Sequence, residues 1–167
     1  MTASVVRVRG LSILGILLAL LSLTGCSVDD RVARGQQRAV TSTRADAENV
    51  RRTFASILAS APNPQTALER MRELLAPGAD ANTGRDIQIM LTDSDLDAGA
   101  VIARMAIFDY AEVRGARDGQ VWAELCVQMI GRKGATPAVR VVEVRCPEQL
   151  PPGAPGWAID VVVAPSP

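Results

Sequence analysis

Apolar residues recur at helical spacing in the first half of the chain and at alternate positions in the second. The earliest feature is a Leu-rich, uncharged run from Leu11 to Leu23, 13 residues long, preceded by Arg7 and Arg9. A spanning helix needs about 17 to 25 such residues, so the run is short for a stable transmembrane anchor. Residues 27 to 42 are polar, show no apolar stripe and contain Gly35, the pattern of a flexible tether. Thr43 with Asp46 imitates a capping box, and Val50, Phe54, Ile57, Leu58 and Ala61 follow as one helical stripe up to Pro62. Asn63-Pro64 then supplies an N-cap and a first-turn proline for a second helix, whose stripe is Leu68, Met71 and Leu75. Pro77-Gly78 stops it.

Beyond residue 85 the period falls to two. Ile87, Ile89 and Leu91 alternate with polar or less apolar neighbours and predict a short strand. Residues 93 to 105 fit either state; Thr92, Ser94, Asp95 and Asp97 favour a short helix start, against Gly99. Phe108 to Arg114 and Gln120 to Ile130 predict a hairpin about Asp118-Gly119. Val139 to Cys146 predicts a further strand, Trp157 to Val163 a last one, and the proline-rich stretch 147–156 a loop between them.

Helices followed by a meander of strands predict an α+β domain over residues 43–164. Two N-terminal helices would pack on a four- to five-stranded antiparallel sheet, with 165–167 as a tail. This element order is similar to the cystatin-like cone of nuclear-transport-factor-type domains, a resemblance that rests on order and on no motif. Such domains include enzymes, ligand carriers and interaction modules, so the likeness implies no single function.

Composition removes whole classes of chemistry. The chain has 167 residues, 18 basic and 18 acidic, and no histidine. Ser-His-Asp triads, Cys-His pairs and His-ligated metals are therefore excluded. A zero net charge argues against nucleic acid as partner, since phosphate contacts need a basic excess.

The apolar run ends in Leu23-Thr24-Gly25-Cys26. With the two arginines before it, this resembles the signal peptide and lipobox of bacterial lipoproteins. The resemblance covers the signal and four motif residues. It implies cleavage of residues 1–25, lipid on the Cys26 thiol, and a chain tethered through 26–42 to the outer face of the cytoplasmic membrane. The remaining 142 residues would carry 16 basic and 18 acidic side chains, a formal charge of −2. Anionic headgroups would not hold such a domain, so a doubly or triply acylated cysteine would supply the anchor.

Export leaves Cys126 and Cys146 as an even pair in an oxidising compartment, where a disulfide is the natural state. Two free buried thiols or a metal pair are the alternatives, and two ligands 20 residues apart without histidine make a poor metal site. The faces conflict, however. Val121, Ala123, Leu125 and Val127 make an apolar face that omits Cys126, whereas Cys146 shares its face with Val142 and Val144; a bulge in the turn is one way to reconcile them.

Asp93, Asp95 and Asp97 look like the opening of a calcium loop, but the glycine and closing glutamate positions hold Ala98 and Arg104. No metal site and no cofactor is expected. Asp109, Glu112, Glu124, Glu143 and Asp160 lie on or beside predicted strands and read as solvent-face acids. Arg140 and Arg145 would neutralise Glu124 and Glu143 across strands. No pair stands out as catalytic. Trp122 and Trp157 are either core residues or stacking platforms, and Trp157, beside the proline-rich loop, is the first candidate for binding. The expected function is a non-catalytic binding or accessory module of the cell envelope, with an envelope protein or small ligand as partner. The alternative is a small-ligand carrier or histidine-free hydrolase working in the mouth of a cone-shaped sheet.

Overall fold

The computed structural model describes residues 28–76, 88–116, 119–148 and 159–165. Helices α1 (Val28–Ser60) and α2 (Pro64–Leu74) precede strands β1 (Gln88–Asp97), β2 (Ala100–Glu112), β3 (Gln120–Gly131), β4 (Val139–Glu143) and β5 (Val161–Val162). The class is α+β, with both helices N-terminal to the sheet. Sheet order is β1-β2-β3-β4, all antiparallel, and β5 lies parallel to β3.

The segment that reads as a flexible tether is helical. α1 begins at Val28, so Thr43 and Asp46 are buried mid-helix residues and not a capping box. Thr43 Oγ1 donates to the Val40 carbonyl within the helix. The buried stripe is Gly35, Ala39, Thr43, Asp46, Ala47, Val50, Phe54 and Leu58, one continuous helical face. Its first half is built from small side chains, so the helix lies close on the sheet there. α2 starts as its sequence directs: Asn63 accepts from the Thr66 N–H at 2.9 Å, and Pro64 occupies the first turn.

Residues 93–105 are strand, not helix. β1 runs to Asp97, and Ala98 (φ 45°) with Gly99 (φ 78°) makes a two-residue turn into Ala100. Two consecutive positive φ values match the twist of antiparallel strands, which is why so short a loop suffices. A register shift between Leu91 and Asp93 breaks the alternation of β1 and hides its periodicity. The β2–β3 hairpin stands where the sequence places it. β5 departs from the expected meander: it is two residues long and takes the part of the β3 edge that β4 leaves free, pairing Ala123 with Val161 and Glu124 with Val162.

Strand alternation divides the sheet into two faces. Val101, Ala103, Met105 and Ile107 of β2, Leu125, Val127 and Met129 of β3, and Val139 pack with Phe54, Leu58, Leu68 and Met71 of the helices. The opposite face carries a smaller cluster: Ala106, Phe108 and Cys126, bordered by Met90, Trp122, Val144, Cys146 and Ile159. The main core holds the helices on the sheet; truncating the fully buried Phe54 to Ala would cost about 3–5 kcal/mol. No helix among the described residues is long and apolar enough to cross a membrane.

Candidate functional site on the face away from the helices

Even-numbered residues of β2 and β3 form this second face. Ala106 stands opposite Cys126, Phe108 opposite Glu124, and Tyr110 opposite Trp122. The Tyr110 and Trp122 rings meet at 4.8 Å between centroids, tilted by 39°. Asp160 fixes the backbone there: its Oδ2 accepts from the Trp122 N–H at 2.8 Å, and its own N–H donates to the Trp122 carbonyl at 3.1 Å.

Cys126 and Cys146 form a disulfide, with Cα atoms 5.1 Å apart. No bulge is required. The β3–β4 register pairs Val127 with Glu143, and the Val144 N–H continues it to the Cys126 carbonyl at 2.9 Å. Val139 and Val141 therefore face the helices while Val142, Val144 and Cys146 face away, on the side of Cys126. The apolar face of β3 omits Cys126 because the two cysteines belong to the other one.

Glu124 is the unexpected member. It reads as a solvent-face acid but is only 6% exposed, set between Trp122 and Cys126 along β3 and between Phe108 and Val162 across the sheet. Burial pushes its carboxyl above the usual range, because the charged form loses hydration. Its Oε1 lies 3.7 Å from Cys126 Sγ. Ligand atoms of Glu124, Cys126 and Cys146 all fall within 4.8 Å of one another. With the sulfurs bonded to each other, neither is a thiolate able to hold a metal.

The remaining strand acids are dispersed. Asp109 is also buried, at 5% exposure, but on the face of Ile107, beneath the helices and across the sheet from Glu124. Its Oδ1 accepts from the Tyr110 N–H at 2.7 Å, and Oδ2 is buried without a hydrogen-bond partner among the described residues. Glu143 is bound at 2.9 Å by Arg44 of α1, a partner from the helix layer and not from a neighbouring strand. The pair holds the Arg44 guanidinium above its usual pKa, mainly through the Glu143 hydrogen bond. Glu112 is exposed and borders a shallow cleft with Arg114 and Gln120.

Asp93, Asp95 and Asp97 stand on a strand and not at a helix N-terminus. Same-face neighbours on a strand are about 7 Å apart, too far to converge on one ion. Asp93 pairs with Arg104, the residue at the calcium loop's closing position, and Arg104 Nε also donates to Gln128 Oε1 at 3.1 Å. These groups border a cleft of about 290 Å³ that reaches Cys126, Val144, Arg145 and Pro147. Cys26, Trp157 and most of the proline-rich loop lie outside the described residues.

The burial of Glu124 and the Tyr110–Trp122 contact escaped the sequence reading. The available signal was their shared parity with Cys126: Trp122, Glu124 and Cys126 form one alternate set, and an acid between a Trp and a bonded Cys is poorly placed for water.

Comparison with known proteins gave no match: no protein-family model, no curated protein and no solved structure matches this chain. The similarity to nuclear-transport-factor-type domains thus stays one of element order.

Proposed function

We propose that the chain is a lipid-anchored protein of the cell envelope, held on the outer face of the cytoplasmic membrane through Cys26, whose domain binds a partner and does not catalyse. The observation that carries the second half is the separation of the acids. A histidine-free hydrolase needs two carboxylates facing one cleft. Of the three buried acids among the described residues, Glu124 lies on the face away from the helices and Asp46 and Asp109 in the layer between helices and sheet, away from the cleft, while Glu143 is engaged by Arg44 and Asp160 by the Trp122 backbone. Among the described residues the 290 Å³ cleft is lined by one carboxylate, Asp93, already paired with Arg104.

Supporting a binding role, the face away from the helices combines aromatic and aliphatic surface with a polar rim. Tyr110 and Trp122 stack there, Val142 (40% exposed) and Val162 (57% exposed) stand in solvent, and Arg104, Gln128 and Arg145 border them. Trp157 stands two residues before Ile159, which packs on this cluster, and is kept as a binding candidate on that proximity in sequence. The anchor half rests on the Leu-Thr-Gly-Cys motif behind its apolar run.

Affinity capture from solubilised membranes tests the binding reading. Trp122→Ala and Trp157→Ala should each reduce recovery of the partner while far-ultraviolet circular dichroism stays unchanged. In a complementation assay, the amides of Asp109, Glu112, Glu124, Glu143 and Asp160 are exchanged singly. One amide that abolished function with folding and capture intact would establish the hydrolase instead.

A further inference from the structure

The disulfide has an inner and an outer sulfur. Cys126 lies at the floor of the 290 Å³ cleft but is only 2% exposed and packed with Ala106 and Phe108, whereas Cys146, the more exposed residue, is half-buried between the exposed Arg145 and Pro147. A nucleophile arriving from solvent meets Cys146 Sγ, so the sulfur that must leave is Cys126 Sγ. A thiolate released there stands in apolar surroundings that disfavour its charge. The carboxyl touching it is that of Glu124, buried on the same face at 3.7 Å.

We propose that Cys126–Cys146 is an exchangeable disulfide, attacked by dithiols at Cys146, with Glu124 as the proton donor to the departing Cys126 sulfur. The thiolate of a dithiol forms a bond to Cys146 Sγ as the Cys146–Cys126 bond breaks. The bonding pair goes to Cys126 Sγ, which takes the Glu124 proton and becomes a thiol. The dithiol's second sulfur then displaces its own first sulfur from the mixed disulfide, releasing Cys146 thiolate. The protein disulfide gains two electrons and the dithiol is oxidised to its cyclic disulfide. The idea is independent of the anchor and of any binding partner.

The surroundings leave Glu124 suited to this task. Its neighbours are Trp122 and Cys126 on β3, Phe108 on β2 and Val162 on β5, none of them charged. Among the described residues the ionisable groups on the same side of the sheet are Arg104 paired with Asp93, Asp95, Asp97, Tyr110, Glu112, Asp160 on the Trp122 backbone, Arg140 and Arg145. The helices, with Arg44 and Asp46, pack on the opposite face, where Asp109 and Glu143 also lie. Burial raises the Glu124 pKa, with no charged partner opposing it, so the carboxyl keeps its proton to higher pH than an exposed one.

The test uses detergent-solubilised full-length protein reduced by dithiothreitol, with the rate constant expressed per dithiothreitol thiolate. In the unsubstituted protein that constant should fall about a hundredfold as pH rises through the Glu124 titration, the lower end of what a placed general acid contributes. Glu124→Gln, which cannot ionise, should give a flat profile. Identical profiles for the two proteins would overturn the proposal. A second measurement needs no variant: trapping with glutathione followed by peptide mapping should find the adduct on Cys146 and Cys126 free. An adduct on Cys126 would reverse the inner and outer sulfurs and refute the assignment.

Discussion

Gly35 of α1 lies so close to Val113, just past β2, that a Cβ built on the glycine would stand 2.2 Å from Val113 Cγ2. Alanine normally gains about 1 kcal/mol over glycine inside a helix. Here the neighbour is a branched side chain with little rotamer freedom, and overpacking costs about 1–3 kcal/mol. Gly35→Ala should therefore destabilise the domain by about 1 kcal/mol net, read as a lower denaturation midpoint with unchanged slope. Gly131→Ala should cost at least as much, because its Cβ would fall 2.4 Å from Leu58 Cδ1 and 2.8 Å from Phe54 Cζ, both in the main core.

This contact also explains why the first half of α1 was illegible. Gly35, Ala39, Thr43 and Asp46 are spaced as a buried helical face, but none counts as a large apolar residue, so no stripe appears before Val50. They are small because the helix lies close on the sheet, and that is a tertiary fact. Where side chains are bulky the pattern was readable: Phe54 and Leu58, the Asn63-Pro64 start, the β2–β3 hairpin and the cysteine pair. β5 was misread because a two-residue parallel strand leaves no periodicity, and its place depends on where β4 ends. At the site, Cys126 and Cys146 were legible from compartment, whereas the burial of Glu124 depends on Phe108 and Val162, which reach it from other strands.

Ala98 occupies the first position of the β1–β2 turn at φ 45°, a conformation that costs a non-glycine residue about 1 kcal/mol. It is exposed, so no packing opposes a change. Ala98→Asn followed by the native Gly99 restores the preferred residue pair for this turn. It should raise stability by about 0.5–1 kcal/mol in thermal or denaturant unfolding. A loss would mean that the turn has another geometry.

The diagonal between Cys126 and Cys146 closes a loop with a sequence separation of 20. Loop entropy assigns such a bond about 3 kcal/mol. The double variant Cys126→Ala with Cys146→Ala should be weakened by roughly that amount, and non-reducing peptide mapping of the unsubstituted protein should find both thiols consumed. An unfolding midpoint indifferent to reductant would argue that the bond is absent in solution.

Glu124 gives stability a distinctive pH dependence. Its folded-state pKa is raised by burial above the unfolded value, so the folded state holds the proton more tightly. The contribution is complete below the unfolded pKa of about 4.3 and is lost as pH rises through the folded one. Glu124→Gln lacks this term. The melting temperature of the variant minus that of the parent should therefore increase from pH 4 to neutrality, and a difference independent of pH would place Glu124 in solvent.

The helical start of α1 sharpens the anchor proposal. One residue, Ser27, separates Cys26 from Val28, two steps that span about 7 Å when extended. Val28 packs beside Gly115 in the β2–β3 hairpin, whereas the C-terminal end of α1 meets the β3–β4 turn, where Lys133 Nζ donates to the Ala61 carbonyl. With 33 residues, α1 is about 50 Å long. The hairpin end should then stay near the bilayer and the turn end away from it. Fluorophores on Ala116→Cys and on Arg132→Cys distinguish the ends in vesicles carrying a quenching lipid: the first should be quenched strongly and the second weakly. Cys26→Ser should abolish both signals and leave the precursor uncut by the lipoprotein peptidase, with intact mass showing residues 1–25 retained and no acyl chains. Equal, weak quenching at the two positions in the acylated protein would restore a long flexible tether, and unacylated mature protein would end the anchor proposal.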